Sequence, residues 1–273
     1  MTTRQGKTDS PVRIRPIPAF SDNYIWLIED GKHAVVVDPG QAQPVLDTLK
    51  QTKLSLTAIL LTHHHQDHVG GVAEILQNHP AAVYGPALEV LPACDFRLSQ
   101  GDRVNLEQPS LAFEVLDVPG HTAGHIAYTG LVTTAAGPQS VLFCGDTLFV
   151  GGCGRLFEGT PAQMLSSLDQ FAALSLDTEV YCAHEYTLAN LRWARAVDPL
   201  NKTLGAFEEA CKAKRAANEP TVPSTIGTER VCNPFLRSRD PNIARSAEQW
   251  AKQSLQTPVE VFGALREWKN GFK

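Results

Sequence analysis

THHHQDHVGG, residues 62–71, places four histidines and an aspartate directly after the apolar run Ala58-Ile59-Leu60-Leu61. A short apolar run bounded by turn residues reads as a buried strand, so these polar groups stand at a strand end. The same arrangement recurs. His121 follows Phe113–Val118 in VPGHTAGH, Asp146 follows Val141–Cys144 in LFCGDT, and His184 follows Glu179–Cys182 in YCAHEY. Four strand ends thus deliver His63, His65, Asp67, His68, His121, Asp146 and His184. Strand ends on one side of a sheet converge in space, which is where sites on α/β folds form.

Neutral imidazole and carboxylate suit Zn(II), Fe(II) and Mn(II), which keep open positions for water. Seven such groups exceed what one tetrahedral ion takes. They fit two ions that share one carboxylate and hold a hydroxide between them. An exposed polar loop would explain H-x-H-x-D-H alone, but not the three other motifs. His64 alternates with His63 and His65 and is expected to face away from the metals, toward supporting contacts or solvent. His125 is expected to open the next strand, and His33 and His79 to be ordinary hydrogen-bonded residues. A Cys182–His184 nucleophile has no support, because i, i+2 spacing in a strand leaves Cys182 in a crowded interior.

The chain has 273 residues, 43% of them hydrophobic, and a net charge of −5. That supports one large core, or a large domain with a small one. No Lys/Arg block points to nucleic acid. The polar start, MTTRQGKTDSPVRIRP, lacks the apolar segment of a secretory signal, and its first ten residues read as a flexible tail. No run approaches the roughly 20 apolar residues of a membrane span. Cys94, Cys144, Cys153, Cys182, Cys211 and Cys232 form no C-x-x-C pair and read as reduced thiols of a cytoplasmic protein. A monomer acting on a small molecule is expected.

Strands are also expected at Val12–Ile17, Tyr24–Glu29, Ala34–Asp38 and Ile126–Val132, and helices at Ala42–Gln51, Val69–Asn78, Pro86–Leu91 and Ala162–Leu174. Pro161 after Thr160 is a helix-start signal. From Tyr186 onward the pattern is helical, at Tyr186–Val197, Asn201–Ala217, Ile243–Leu255 and Val259–Asn270, interrupted by the loop EPTVPSTIG. This divides the chain into an α/β domain, residues 1–185, and a smaller all-α domain, residues 186–273.

THHHQDH, PGHTAGH, CGDT and CAHEY, in this order, resemble the metallo-β-lactamase superfamily over about the first 185 residues. The resemblance implies an αββα sandwich with metals at one sheet edge. By position, His63, His65 and His121 look like ligands of one metal, Asp67, His68 and His184 of a second, and Asp146 of both. A narrower likeness runs nearly end to end: DNYIWLI at 22–28, GDTLFVGGCGRLFEGT at 145–160, CAHEYTLANLRWA at 182–194, CNPFLR at 232–237 and LREWKNGF at 265–272. These resemble the glyoxalase II, or hydroxyacylglutathione hydrolase, family.

That likeness implies a thioester hydrolase that converts S-D-lactoylglutathione to glutathione and D-lactate, in methylglyoxal detoxification. Two divalent metal ions are implied, zinc first, with iron or manganese as further candidates. Asp67 and Asp146 are the implied catalytic carboxylates. Arg155, Tyr186, Arg266 and Lys269 are the implied glutathione contacts, and Phe157 stands where some members have Tyr, without its hydroxyl. The alternative is an iron-dependent persulfide dioxygenase on the same scaffold; residues 186–273 stand against it, because that class lacks a long helical C-terminal region.

Overall fold

Alternation along the strands builds two apolar faces at once. In the computed structural model, which describes residues 10–272, β1 (Arg13–Ala19), β2 (Asn23–Glu29), β3 (His33–Val37) and, after the helix α1 (Ala42–Thr52), β4 (Ser55–Leu60) lie side by side. β3 sends Val35 and Val37 to one face and Ala34 and Val36 to the other, and β4 divides Ala58 and Leu60 from Ile59 in the same way. Strands apolar on both sides must be covered on both sides. Val45 and Leu49 of α1 and Val72 and Ile75 of a later helix cover the outer face. The chain reaches that helix through α2 (Gln66–Val69), a single turn; the helix itself is α3 (Val72–Asn78). The parallel strands β5 (Ala82–Pro86) and β6 (Phe96–Leu98) complete this six-stranded sheet.

The inner face meets a second six-stranded sheet. It contains β7 (Arg103–Glu107), β8 (Ser110–Asp117), β9 (Ile126–Thr134) and β10 (Gly137–Gly145) as antiparallel neighbours. After a small hairpin, β11 (Leu148–Phe149) with β12 (Gly152–Cys153), and the helix α4 (Pro161–Ala172), β13 (Glu179–Cys182) pairs parallel to β10. Aromatic rings join the layers: Trp26 meets Tyr181 edge-on at 4.8 Å, and Phe143 stacks on Tyr181 at 5.0 Å. Each such fully buried side chain contributes ~1.5–3 kcal/mol. Leu165, Leu168 and Phe171 of α4 enter the same core, giving the αββα order. Pro161 does start α4, and Thr160 and Gln163 form a capping box there.

Helices α5 (Thr187–Val197), α6 (Lys202–Ala216), α7 (Ile226–Cys232), α8 (Pro241–Ala251) and α9 (Pro258–Gly271) form the C-terminal region. Its centre is aromatic: Trp193 stacks on Phe235 at 4.7 Å, and Phe235 packs on Phe262 at 5.3 Å. No helix among the described residues is long and apolar enough to cross a membrane.

Several expectations need correction. Pro86–Leu91 is not helical. Pro86 ends β5 and the following residues turn, leaving Leu88 and Val90 exposed and Glu89 buried. Val69–Asn78 is two helices, broken at Gly70-Gly71. The Ile243–Leu255 helix lies earlier, at Pro241–Ala251, because Asp240 caps it and Pro241 occupies its first turn. The EPTVPSTIG loop contains a strand, β14 (Ser224–Thr225), which adds to the second sheet beside β13, and it leads directly into α7. The C-terminal region is therefore helical but shares a sheet with the preceding layers. The expected tail at residues 1–10 lies, but for Ser10, outside the described residues.

Glu229 of α7 is fully buried. Burial pushes its carboxyl up from the ordinary 4.5 to about 7, against hydrogen bonds from Ser224, Gly151 and Asn233 that lower it. The folded protein thus keeps a proton that the unfolded chain releases. Stability from this group is fully present below pH ~4.5 and is lost as pH rises toward ~7, by about 3 kcal/mol. Glu229→Gln is expected to flatten that part of the profile, as read from urea midpoints between pH 5 and 8.

Candidate metal centre and adjoining cavity

At one edge of the sandwich the two sheets are joined by main-chain bonds, Ile126 N to Thr62 O at 2.9 Å and Tyr24 N to Ala183 O at 2.7 Å. The ends of β4, β8, β10 and β13 meet there. All seven residues anticipated as ligands come together. His63, His68, His121, Asp146 and His184 are buried, and His65 and Asp67 are half-buried. The turn after β10 depends on Gly145. Its φ of +46° favours glycine, and a Cβ there would collide with Thr62 Oγ1 and the His125 ring.

The side chains fall into two groups. His65 Nδ1 lies 3.2 Å from His63 Nε2 and 3.0 Å from His121 Nε2. Asp67 Oδ2 lies 3.5 Å from His68 Nε2 and 3.4 Å from His184 Nε2. Asp146 spans them: Oδ2 is 3.4 Å from His121 Nε2, and Oδ1 is 3.4 Å from His68 Nε2 and 3.3 Å from His184 Nε2. Within each group the three ligand atoms lie within 4.8 Å of one another. His68 Nε2, His184 Nε2 and Asp146 Oδ1 are buried without any hydrogen-bond partner. A buried polar atom left unpaired costs ~1–3 kcal/mol, and a divalent cation among these atoms removes that cost. The residues fit divalent metal.

The far ring nitrogens are engaged, which fixes the tautomers. His68 Nδ1 donates to Asp38 Oδ2 at 3.0 Å, His184 Nδ1 to Asp22 Oδ1 at 2.8 Å, and His121 Nδ1 to the Arg155 carbonyl at 2.9 Å. Each Nε2 lone pair is thereby turned inward. Burial drives the His63 imidazole well below its ordinary value, and lowers His65 and His121 less far, so all three are neutral donors of a lone pair. Burial opposes ionisation of Asp146, but the facing His68 and His184 rings more than reverse it and hold the carboxyl well below the usual range. Burial likewise raises the Asp67 carboxyl, and the facing His184 and His68 rings together with the hydrogen bond from Asn23 bring it far down.

His64 does face away. Its Nδ1 meets the buried Glu89 at 3.0 Å, and its Nε2 lies 3.5 Å from Glu158. His125 sits just before β9, accepts the Asp146 N–H at 3.1 Å and stacks on His63 at 4.5 Å, so it orients without facing the cluster. Cys182 is fully buried. Asp22, Asn23, Asp38 and Glu89 did not emerge from the sequence as site residues. Asp38 had a signal, since it follows β3 as the other groups follow their strands. It approaches His63 and His68 closely enough to form a third ligand-type group, but its Oδ2 is taken by His68 and by Thr62 Oγ1 at 2.7 Å.

A cavity of about 520 Å³ opens from the cluster toward the C-terminal region. Arg155, Tyr186, Arg266 and Lys269 all line it. Tyr186 lies flat on the His184 ring at 4.6 Å, and exposed Phe157 packs edge-on against His65 and His121. Arg266 is only 5% exposed, and its Nη1 donates to the Cys153 carbonyl at 2.7 Å. Lys269 Nζ donates to the Ala189 carbonyl at 3.1 Å. Burial, with the charges of Arg266 and Arg192, presses the Lys269 ammonium down to about 8.

Residues 19–184 match the model of the metallo-beta-lactamase superfamily, and residues 185–272 match the hydroxyacylglutathione hydrolase C-terminus. The hydroxyacylglutathione hydrolase of Cupriavidus taiwanensis is 55% identical over 269 residues, covering 96% of this chain and 100% of that protein. That of Nitrosomonas europaea is 48% identical, covering 96% of this chain and 97% of its own. Among solved structures, ETHE1 from Myxococcus xanthus superposes with a TM-score of 0.60 at 25% identity, covering 93% of this chain and 96% of its own. TTHA1623 in a di-iron-bound form gives 0.55 at 26% identity, covering 82% of this chain and all of its own. With both models matched in sequence and the relatives aligned nearly end to end, the chain belongs to the hydroxyacylglutathione hydrolase family, the glyoxalase II thioester hydrolases of the metallo-beta-lactamase superfamily.

Proposed function

We propose that the two groups are the halves of a dinuclear centre that hydrolyses S-D-lactoylglutathione. His63, His65 and His121 would hold one ion, Asp67, His68 and His184 would hold the other, and Asp146 would serve both. The observation that carries this reading is the set of unpartnered buried atoms, His68 Nε2, His184 Nε2 and Asp146 Oδ1, turned toward one another. Zinc fits the mixed imidazole and carboxylate donors, and iron or manganese are accommodated by the same set. Relatedness to TTHA1623, solved in a di-iron-bound form, supports a pair of ions. Bound there, the ions supply a Lewis acid for the thioester carbonyl and lower the pKa of water to about 7.

The chain's own residues do the rest. Asp67, ionised and held by Asn23 Nδ2 at 3.1 Å, orients the attacking water. The departing group is a thiolate, and a thiol pKa near ~8.5 lets it leave without a strong general acid. The glutathione portion carries two carboxylates. Arg155, Lys269 and the buried Arg266 form the cationic wall that receives them, and Tyr186 supplies a hydroxyl beside His184. Residues 1–185 provide the chemistry, and residues 186–273 provide most of the glutathione site. The six cysteines, all unpaired, suit a reducing compartment such as the cytoplasm.

Asp146→Ala is expected to abolish loss of the thioester absorbance of S-D-lactoylglutathione and to lower bound metal below the wild-type content; undiminished turnover would remove Asp146 from the centre. Lys269 is protonated below ~8, so kcat/KM should fall as pH rises through that value while kcat holds. Lys269→Arg should move the decline upward, and Lys269→Ala should raise KM about tenfold at pH 7. Asp22→Ala frees His184 to rotate, and chelator competition should show the Asp67–His68–His184 ion bound roughly 10–100-fold more weakly.

A further inference from the structure

The turn joining β11 to β12 and running on to Gly154 is bound, residue by residue, by side chains from the C-terminal region. Asn233 Nδ2 donates to the Phe149 carbonyl at 3.3 Å and the Gly152 carbonyl at 2.9 Å. Asn190 Nδ2 donates to the Val150 carbonyl at 3.1 Å. Gly151 N donates to Glu229 Oε2 at 2.8 Å. Arg266 Nη1 donates to the Cys153 carbonyl at 2.7 Å and the Gly154 carbonyl at 3.4 Å. Six consecutive residues, 149–154, therefore each have a main-chain group held from the helical region. Asn233 and Glu229 are fully buried and bonded to each other at 3.0 Å.

The turn is also tied to the metal cluster at both ends. Gly154 N donates to the Thr147 carbonyl at 3.1 Å, beside Asp146. A Cβ on Gly154 would overlap the Asp146 carbonyl itself, so the two segments lie main chain against main chain. Arg155, the next residue, supplies the carbonyl that fixes the His121 tautomer. Residues at an isolated glycine-rich turn have wide conformational freedom. Its own main-chain pairing is limited to the two pairs of the β11–β12 hairpin, and Phe149, Val150 and Cys153 anchor it by their side chains in the core, so its remaining main-chain groups are held by the helical region.

We propose that Asn190, Glu229, Asn233 and Arg266 are positioning residues for the metal centre: by fixing residues 149–154, they fix the Asp146 carboxylate and the His121 ring. The helical region then has a second task besides receiving glutathione. This inference rests on the dinuclear reading above, but not on the identity of the thioester.

Co(II) uptake tests it without substrate. Wild-type protein, Asn233→Ala, Glu229→Ala and the conservative Glu229→Gln are compared for Co(II) affinity by chelator competition and for the visible Co(II) absorption band. Folding is checked by circular dichroism. The two alanine variants are expected to bind Co(II) about 10–100-fold more weakly, with a changed band. Glu229→Gln, which keeps an acceptor for Gly151 N, should stay near wild type. A folded alanine variant with wild-type affinity and band overturns the proposal. Should both alanine variants fail to fold, Asn190→Ala decides. It removes one bond at a helical position where alanine is the best former, and it is expected to weaken Co(II) several-fold; unchanged affinity there also overturns the proposal. Wild-type protein that takes up no Co(II) overturns the dinuclear reading, and this inference with it.

Discussion

Lone pairs from four strand ends point at one another inside a closed edge of the sandwich, and the structure is arranged to tolerate that. His65 Nδ1 faces two imidazole nitrogens at 3.0 and 3.2 Å, distances at which neutral rings without a shared proton or cation repel. Asp146 Oδ1, His68 Nε2 and His184 Nε2 have no protein partner at all. The His68, His121 and His184 rings are pinned from behind, by Asp38, the Arg155 carbonyl and Asp22 respectively, so they cannot turn away to find one. Such a cluster is destabilising by itself. The two-sided apolar burial of β3 and β4, together with the aromatic contacts between the sheets, offsets it and holds the donors in place until a cation completes them.

The strand-end logic made this cluster legible in the amino-acid sequence. Each group of donors lies within about seven residues of the end of an apolar run, and the side of the sheet is set by chain direction. Local propensity could not reveal what tertiary contact decides. Pro86–Leu91 has helix-forming residues, but Glu89 is drawn to His64 and Thr122, and the chain turns instead. Ser224 and Thr225 sit in a proline-rich stretch that reads as loop, yet the free edge of β13 recruits them as a strand. Asp22 and Glu229 are single acidic residues whose partners lie 162 and 78 positions away, and no local pattern marks such pairs.

Arg266 shows where a likeness to a family and the chemistry of the site have to be read together. Matching its position to a glutathione contact makes it an anion receptor at the cavity wall. Its burial and its bonds to two main-chain carbonyls make it part of the support for residues 153 and 154. The two readings are compatible because a guanidinium has five donors in a fixed fork. Nη1 is committed to the main chain, and the residue still lines the cavity.

The same economy governs how the two regions are joined. A helical cap that only received glutathione could dock on the sandwich by apolar packing and be lifted away with the metal cluster intact. Here β14 extends the second sheet, and four polar side chains enter the hairpin that leads from Asp146 to Arg155. Those polar groups are buried, and burying them is unfavourable unless every bond is made. Their bonds to the turn form only when the helical region is seated against it. Formation of the cavity wall that carries Arg266 and Lys269 and ordering of the strand-end donors are therefore coupled steps of one folding event, which places the two ends of the cavity in a fixed relation.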